Sequence, residues 1–210
     1  MRWILASTII AGLVLSSCDG KFDEAKQAMD NLETMAKSGD NMQEVHKAAE
    51  KRRQERRERG DTLSMPYAEL QKLLPTDISG YTAQEPEGSN SDMPGFSMGQ
   101  ASRRYEKPDG SYVTISLTDW NASEVGWTGA TALFALQYRS DNSTENSGSF
   151  QTDDPLVNGS DRFGKQDKNA NVTYALGARF LLVVDANNQS DVNFVKSVSE
   201  RLDLKKLSKM

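Results

Sequence analysis

Residues 103–119 read RRYEKPDGSYVTISLTD, and this stretch predicts a β-hairpin. Its turn is the Pro-Asp-Gly of residues 108–110, in which proline restricts φ and glycine accepts a positive φ. Behind the turn, residues 112–119 alternate between apolar and polar side chains. That period of two is typical of a strand with one buried and one solvated face. The stretch therefore favours an antiparallel sheet.

The residues on either side predict further strands and a few helices, without the alternating βαβ order of a parallel sheet. Residues 179–186, RFLLVVDA, predict a fully buried central strand. We therefore predict an α+β fold for residues 61–210, with an antiparallel sheet and flanking helices, preceded by a helical stalk. The other predicted elements are a short helix between Pro66 and Pro75, a weak strand and a loop over 80–95, a helix over 128–138, short strands near 148–153, 161–168 and 171–176, and a last helix capped by Ser190 and Asp191.

Residues 18–60 predict the helical stalk, since helix-forming residues dominate there. Between residues 22 and 36 the apolar side chains recur at spacings of three and four, as in a short coiled coil. A second helical stretch ends at Gly60, which is the expected C-cap. Its later half has almost no apolar face, so the pattern predicts a solvated helix that does not enter a core.

A basic run lies in this second stretch. Residues 47–59 contain seven basic and three acidic side chains, a net charge of +4. Such a run is typical either of contact with anionic lipid headgroups or a polyanion, or simply of a solvated helix face. The sequence leaves both interpretations open.

Residues 1–17 have the organisation of a secretory signal peptide. Arg2 supplies a positive start, and residues 3–15 are almost wholly apolar but too short to span a bilayer as a helix. Leu15-Ser16-Ser17-Cys18 then resembles the lipobox of bacterial lipoproteins. The resemblance implies lipid transfer to the Cys18 sulfur, cleavage between Ser17 and Cys18, and acylation of the new amino terminus. The alternatives are an ordinary signal peptide with an incidental cysteine, or a buried membrane helix.

Acylation of Cys18 implies a membrane as the first partner of the protein. Several acyl chains give stable attachment, whereas a single chain holds a protein only marginally. Asp19 follows the cysteine and resembles the enterobacterial signal for retention in the inner membrane. We therefore expect the periplasmic face of the inner membrane, with the outer membrane or the cell surface as the alternatives.

The distal part of the chain carries a second, weaker resemblance. The stretches LPTDISGY, ARFLLVVD and SERLDLKKL, together with the hairpin, are similar to small exported α+β lipoproteins of unknown function. These stretches are structural and span most of residues 73–207. The resemblance implies an α+β domain and transfers no catalytic residue.

The composition excludes several kinds of chemistry. With 25 basic and 30 acidic residues, the chain lacks the basic surplus of a nucleic-acid-binding protein. The stretch Gly95-Phe96-Ser97-Met98-Gly99 fits the nucleophile-elbow pattern, but a strand follows it, and the one histidine, His46, lies upstream in the stalk. One histidine and one cysteine exclude a zinc shell. We predict no catalytic residue, no cofactor and no metal, although calcium at Asp153, Asp154, Asn158 and Asp161, or at Asp185, Asn187, Gln189 and Asp191, is chemically conceivable.

These observations favour a non-enzymatic, lipid-tethered envelope protein that binds a protein or a small ligand. Trp120 and Trp127, after the hairpin, are the candidate ligand surface, and core packing is the other interpretation of both tryptophans. One alternative is an envelope hydrolase that uses carboxylates alone, for instance Asp119 with Glu124. Another is a structural spacer, in which the stalk itself is the functional part.

Overall fold

A computed structural model describes residue 39 and residues 42–94, 96–134, 136 and 138–210. The predicted signal peptide, the cleavage site at Ser17 and Cys18, and the coiled-coil pattern over residues 22–36 lie outside these residues. No helix in the described part of the chain is long and apolar enough to cross a membrane.

The described residues form a mixed α and β structure around one antiparallel sheet of nine strands, as predicted for the fold class. The spatial order is β1-β3-β4-β9-β8-β7-β6-β5, and β2 pairs with the same edge of β3 as β1. The strands are β1 Thr82–Ala83, β2 Glu87–Met93, β3 Phe96–Glu106, β4 Tyr112–Asp119, β5 Arg139–Asp141, β6 Glu145–Gln151, β7 Val157–Gly164, β8 Ala170–Leu176 and β9 Phe180–Ala186.

The predicted hairpin is confirmed as β3 and β4. Glu106 faces Tyr112 across the pair, and the Lys107 amide donates to the Ser111 carbonyl at 2.8 Å. Gly110 has φ of 83°, so it occupies the left-handed region that glycine tolerates best. In β4 every second side chain is buried, because only one face of the sheet lies on the main core.

The strand predicted as central is also confirmed. β9 lies between β4 and β8. The expectation that it is fully buried is wrong, because burial alternates along it in the same way as in β4. Leu181 and Val183 point to the second face of the sheet, which helices cover only at one end.

Five helical segments accompany the sheet in the described residues. The first, α1, covers residues 42–58. Apolar side chains of α2, α4 and α5, such as Leu70, Val195 and Leu207, join the main core on the first face. The other four helices are α2 Tyr67–Gln71, α3 Glu124–Thr131, α4 Asn193–Ser199 and α5 Leu204–Lys209.

Gly60 ends α1, as predicted. Its φ is 74°, its amide donates to the Arg57 carbonyl at 3.0 Å, and the Asp61 amide donates to the Arg56 carbonyl at 2.9 Å. These two bonds form a Schellman motif, which satisfies the last carbonyls of a helix and turns the chain sharply. The turn brings Asp61 back against the body of the protein.

Three predicted elements differ from the structure. The helix predicted over 128–138 is α3, which begins earlier because the Ser123 hydroxyl accepts a hydrogen bond from the Gly126 amide at 3.3 Å. Residues 80–95, predicted as a weak strand followed by a loop, contain β1 and then β2 in place of the loop; all seven residues of β2 are exposed and therefore show no apolar alternation. The single last helix is two helices, α4 and α5, and Asp191 bonds the Asn193 amide at 2.7 Å.

The packing of β3 predicts unequal effects for two glycine substitutions. A Cβ at Gly99 would overlap the Met65 carbonyl oxygen, whereas a Cβ at Gly129 in α3 meets nothing within 4 Å. We expect Gly99→Ala to lower the free energy of unfolding by about 1–3 kcal/mol through overpacking. Gly129→Ala should raise it by up to about 1 kcal/mol through helix propensity. Urea unfolding followed by tryptophan fluorescence measures both, and equal stability of the two variants would contradict the close approach.

Candidate functional site

Helix α1 is attached to the sheet by one buried arginine. Arg56 is 1% exposed, and its Nε donates to Asn121 Oδ1 at 2.7 Å. Its Nη1 and Nη2 donate to the carbonyl oxygens of Gly177 and Ala178 at 2.8 and 2.9 Å. The prediction of a solvated helix is therefore wrong for this part of the stalk, because the apparent polar residue is the buried contact. Residues 42–58 pack with the globular part of the chain.

A buried carboxylate lies beside this contact, at the end of β4. Asp119 is fully buried, and its Oδ2 accepts from Arg179 Nε at 3.0 Å and Nη2 at 2.8 Å. The same oxygen accepts from the Met65 amide at 2.7 Å, while Oδ1 accepts from the Asn121 amide at 2.8 Å. Such a set of donors satisfies an ionised carboxylate away from water.

Asn121 and Asp61 join the two arginines into one network. Arg179 Nη1 donates to Asp61 Oδ2 at 2.7 Å, and Asn121 Nδ2 donates to Asp61 Oδ1 at 3.0 Å. We call Arg56, Asp61, Asp119, Asn121 and Arg179 the arginine–aspartate network. Burial, and then the charge of Arg179, lower the pKa of Arg56 to about 10. Arg56 stays protonated at neutral pH, so the network contains two positive and two negative side chains.

The network holds α1 opposite the start of α3, and a cleft of about 510 Å³ lies between them. We call it the α1–α3 cleft. Its volume is in the range of small-molecule sites. It is lined by the guanidinium groups of Arg53 and Arg57, the acidic groups of Asp61 and Glu124, the polar groups of Thr62, Asn121 and Ser123, and the apolar side chains of Phe96, Ala122 and Val125.

The two arginines of the cleft differ in their partners. Arg53 Nη1 lies 3.0 Å from Glu124 Oε1, and this ion pair spans the cleft from α1 to α3. Burial lowers the pKa of Arg53, and the neighbouring charge of Arg57 adds to that effect. Arg57 is exposed, and its guanidinium makes no hydrogen bond or ion pair with any residue that the structure describes. Its guanidinium is therefore available to a ligand.

Exposed apolar side chains surround the same cleft. Val125 lines it and is 87% exposed, and Leu63, 69% exposed, offers its carbonyl to Asn121 at the cleft wall. Met93 is 62% exposed and faces Phe96 across β2 and β3. Single exposed apolar residues are normal, but a group of them beside a pocket is typical of a binding surface.

The predicted tryptophan surface is not an exposed one. Trp127 is 7% exposed and packs with Ala49 of α1 and with Phe134 and Ala178, so of the two interpretations the structure supports core packing for it. Trp120 is half-buried against the same cluster, and its indole nitrogen is buried without a hydrogen-bond partner in the described residues. Because Ser123 starts α3 early, Trp127 falls on the inner face of that helix.

The structure does not pair Asp119 with Glu124. Asp119 belongs to the buried arginine–aspartate network, whereas Glu124 is partly exposed and bonds Arg53. Ser97 lies inside β3, where its hydroxyl is 2.5 Å from the hydroxyl of Ser64. Gly95, the first residue of that motif, lies outside the described residues.

Two of the candidate calcium ligands, Asp161 and Asn158, have partners within the protein. Asp161 is buried between two cations, at 2.9 Å from Arg139 Nη1 and 2.5 Å from Lys196 Nζ. Asn158 Nδ2 donates to the Pro155 carbonyl at 3.2 Å. Within the residues that the structure describes, no group of three His, Cys, Asp or Glu side chains lies close enough to hold a metal ion.

Sequence reasoning missed the cleft because it interpreted the basic run as one uniform surface. The structure divides that run: Arg56 is buried, Arg53 is half-buried, and Arg57 is exposed. The spacing of Ala49, Arg53 and Arg56 by four and three residues is the signal that places them on one helix face. Arginine at such positions is easily mistaken for a solvated residue.

The lipid attachment at Cys18 lies outside the described residues and stays a prediction. No protein-family model matches the chain, and no curated protein and no solved structure matches it either.

The contacts of Arg56 predict a large loss of stability when its side chain is removed. Arg56→Ala deprives two buried carbonyls of their donors and leaves the network with an excess negative charge. We expect the free energy of unfolding to fall by about 3–5 kcal/mol. Arg59→Ala is the control, since Arg59 is exposed on the same segment, and should change it by no more than about 0.5 kcal/mol. Urea denaturation of both variants gives the comparison, and a loss below 1 kcal/mol for Arg56→Ala would refute the buried attachment.

Proposed function

We propose that the protein is a lipid-anchored, non-enzymatic binding protein of the bacterial envelope. In this proposal acylated Cys18 holds it on the periplasmic face of the inner membrane, and the α1–α3 cleft is its binding site. The observation that carries the proposal is a preformed cleft lined by Arg57, whose guanidinium has no partner among the described residues, and by the exposed apolar residue Val125.

The anchor is supported by the chemistry of Leu15-Ser16-Ser17-Cys18. A thiol nucleophile after two small residues and an apolar run suits lipid transfer and peptidase cleavage. In this proposal residues 18–41 connect the acylated cysteine to α1 as a tether. Even fully extended, such a tether reaches no further than about 80 Å. This length is enough for the domain to meet ligands near the membrane.

The carboxylates near the cleft favour binding over carboxylate-based hydrolysis. A hydrolase of that type needs one carboxyl group as acid and a second as base or nucleophile, both open to the substrate. Glu124 is ion-paired with Arg53, while Asp61 and Asp119 both accept from Arg179. Arginine partners occupy the oxygens that catalysis would require. Arg57, by contrast, has guanidinium donors that no side chain or carbonyl among the described residues accepts.

The anchor predicts a specific pattern of metabolic labelling. Cells grown with an alkyne analogue of palmitate should incorporate it into the native protein and into Ser16→Ala, which keeps a small residue in the motif. Cys18→Ala should lose the label, because no thiol remains to accept lipid. Equal labelling of Cys18→Ala, or a native product that retains residues 1–17 by mass spectrometry, would refute the anchor.

The binding site predicts a position-dependent crosslink in living cells. A photoreactive amino acid at Val125, on the cleft rim, should give one defined adduct by mass spectrometry, and the same amino acid at exposed Lys205 of α5 should not. When the photoreactive amino acid is at position 125, the additional substitution Arg57→Gln should reduce the yield of the adduct at least fivefold. Arg59→Gln should leave it unchanged. An adduct that is absent at Val125, or equal at both positions, argues against the cleft as the site.

A further inference from the structure

Among the described residues, the charge balance of the α1–α3 cleft leaves Arg57 without a counter-ion. Arg53 and Arg57 lie four residues apart on α1, which places them side by side on the helix surface. Glu124 neutralises Arg53, and Arg179 neutralises Asp61, so neither acid is free for Arg57. A guanidinium presents its donors in a planar fork that matches a carboxylate or a phosphate.

Three of the ten residues that line the cleft are apolar. Phe96, Ala122 and Val125 line it, and Leu63 and Met93 lie exposed beside it. A small, fully polar anion would bind Arg57 but leave these side chains in water. A neutral apolar molecule would cover them but leave the guanidinium without an acceptor. A ligand that has both an anionic group and an apolar part can bind Arg57 and cover the apolar side chains at the same time.

We infer that the cleft takes an anionic amphiphile, a molecule in which a phosphate or carboxylate group is joined to an apolar chain. The anionic group lies against Arg57, and the chain lies against Phe96 and Val125. This inference rests on the proposed function, because it names the ligand class of the same cleft. The anion could belong to a phospholipid headgroup or to a free alkyl phosphate or fatty acid, since all of these share the required chemistry.

A series of alkyl phosphates tests the inference. Inorganic phosphate, ethyl, butyl and hexyl phosphate, and hexanol are titrated calorimetrically into the full-length acylated protein in phosphatidylcholine nanodiscs, with empty nanodiscs subtracted. Affinity should rise with chain length, by up to about fourfold for each methylene that becomes buried. Hexanol should bind at least tenfold more weakly than hexyl phosphate, because it lacks the charge-assisted hydrogen bonds to Arg57.

Two variants test separately how Arg57 and the apolar side chains contribute to affinity, and a third variant is the control. Arg57→Gln should lower the affinity for hexyl phosphate at least tenfold and keep the dependence of affinity on chain length. Val125→Ser should reduce the dependence of affinity on chain length and leave the affinity for inorganic phosphate unchanged. Arg59→Gln should behave as the native protein, since Arg59 does not line the cleft. All three residues are exposed, so the variants should fold, and their urea midpoints check this.

Nanodisc composition distinguishes the two sources of the anion. If the natural ligand is a headgroup of the surrounding membrane, phosphatidylglycerol in the nanodisc should compete with hexyl phosphate and lower its apparent affinity for the native protein. The affinity of Arg57→Gln for hexyl phosphate should not change. If it is a free amphiphile, the affinity should be the same in both nanodiscs. Either result supports the inference and decides the source.

Affinity that does not depend on chain length, or hexanol binding as tightly as hexyl phosphate, would overturn the inference. So would a failure of every probe to bind. In those cases a Val125 adduct that depends on Arg57 in living cells would still support the cleft as the binding site, with a ligand of different chemistry. If that adduct is also absent, the proposed function itself is refuted.

Discussion

The arginine–aspartate network is the constraint on which the arrangement of this protein depends. A charged group removed from water costs several kcal/mol unless an opposite charge and enough hydrogen bonds replace the lost solvent. Arg56, Asp61, Asp119 and Arg179 come from four different segments: α1, the turn after it, the end of β4 and the turn before β9. None of the four can be buried unless the other segments are also in place. The network therefore selects one position for α1.

That position produces the candidate site. With Arg56 held against the turn between β8 and β9, the adjacent residue, Arg57, lines the cleft. On the other wall, the Ser123 cap sets where α3 begins and hence where Val125 emerges. Because both walls are held by hydrogen bonds within the protein, little ordering is left for a ligand to impose, and this benefits affinity. In the proposed function, the same helix joins the membrane tether to the binding site.

Prediction from the sequence succeeded where a residue's role follows from its near neighbours. The turn at Gly110, the alternation in β4 and the helix end at Gly60 all express local backbone geometry or a short period. It failed for β2, since a strand exposed on every residue has no apolar period to detect. It left the role of Trp127 open, because the burial of that side chain depends on where α3 starts and on the Ala49 side chain of a distant helix.

The sequence by itself determined the α+β class, the hairpin, the central strand and the cap of α1, because short-range sterics and the alternation of apolar side chains decide these features. It also carries the motif at Cys18 from which the envelope location is proposed. Only the tertiary structure decided which arginine of the basic run is buried and which is free. Three arginines within five residues have the same intrinsic chemistry. What separates Arg53, Arg56 and Arg57 is the partner that each meets from 65 or more residues away along the chain, or the lack of one among the described residues.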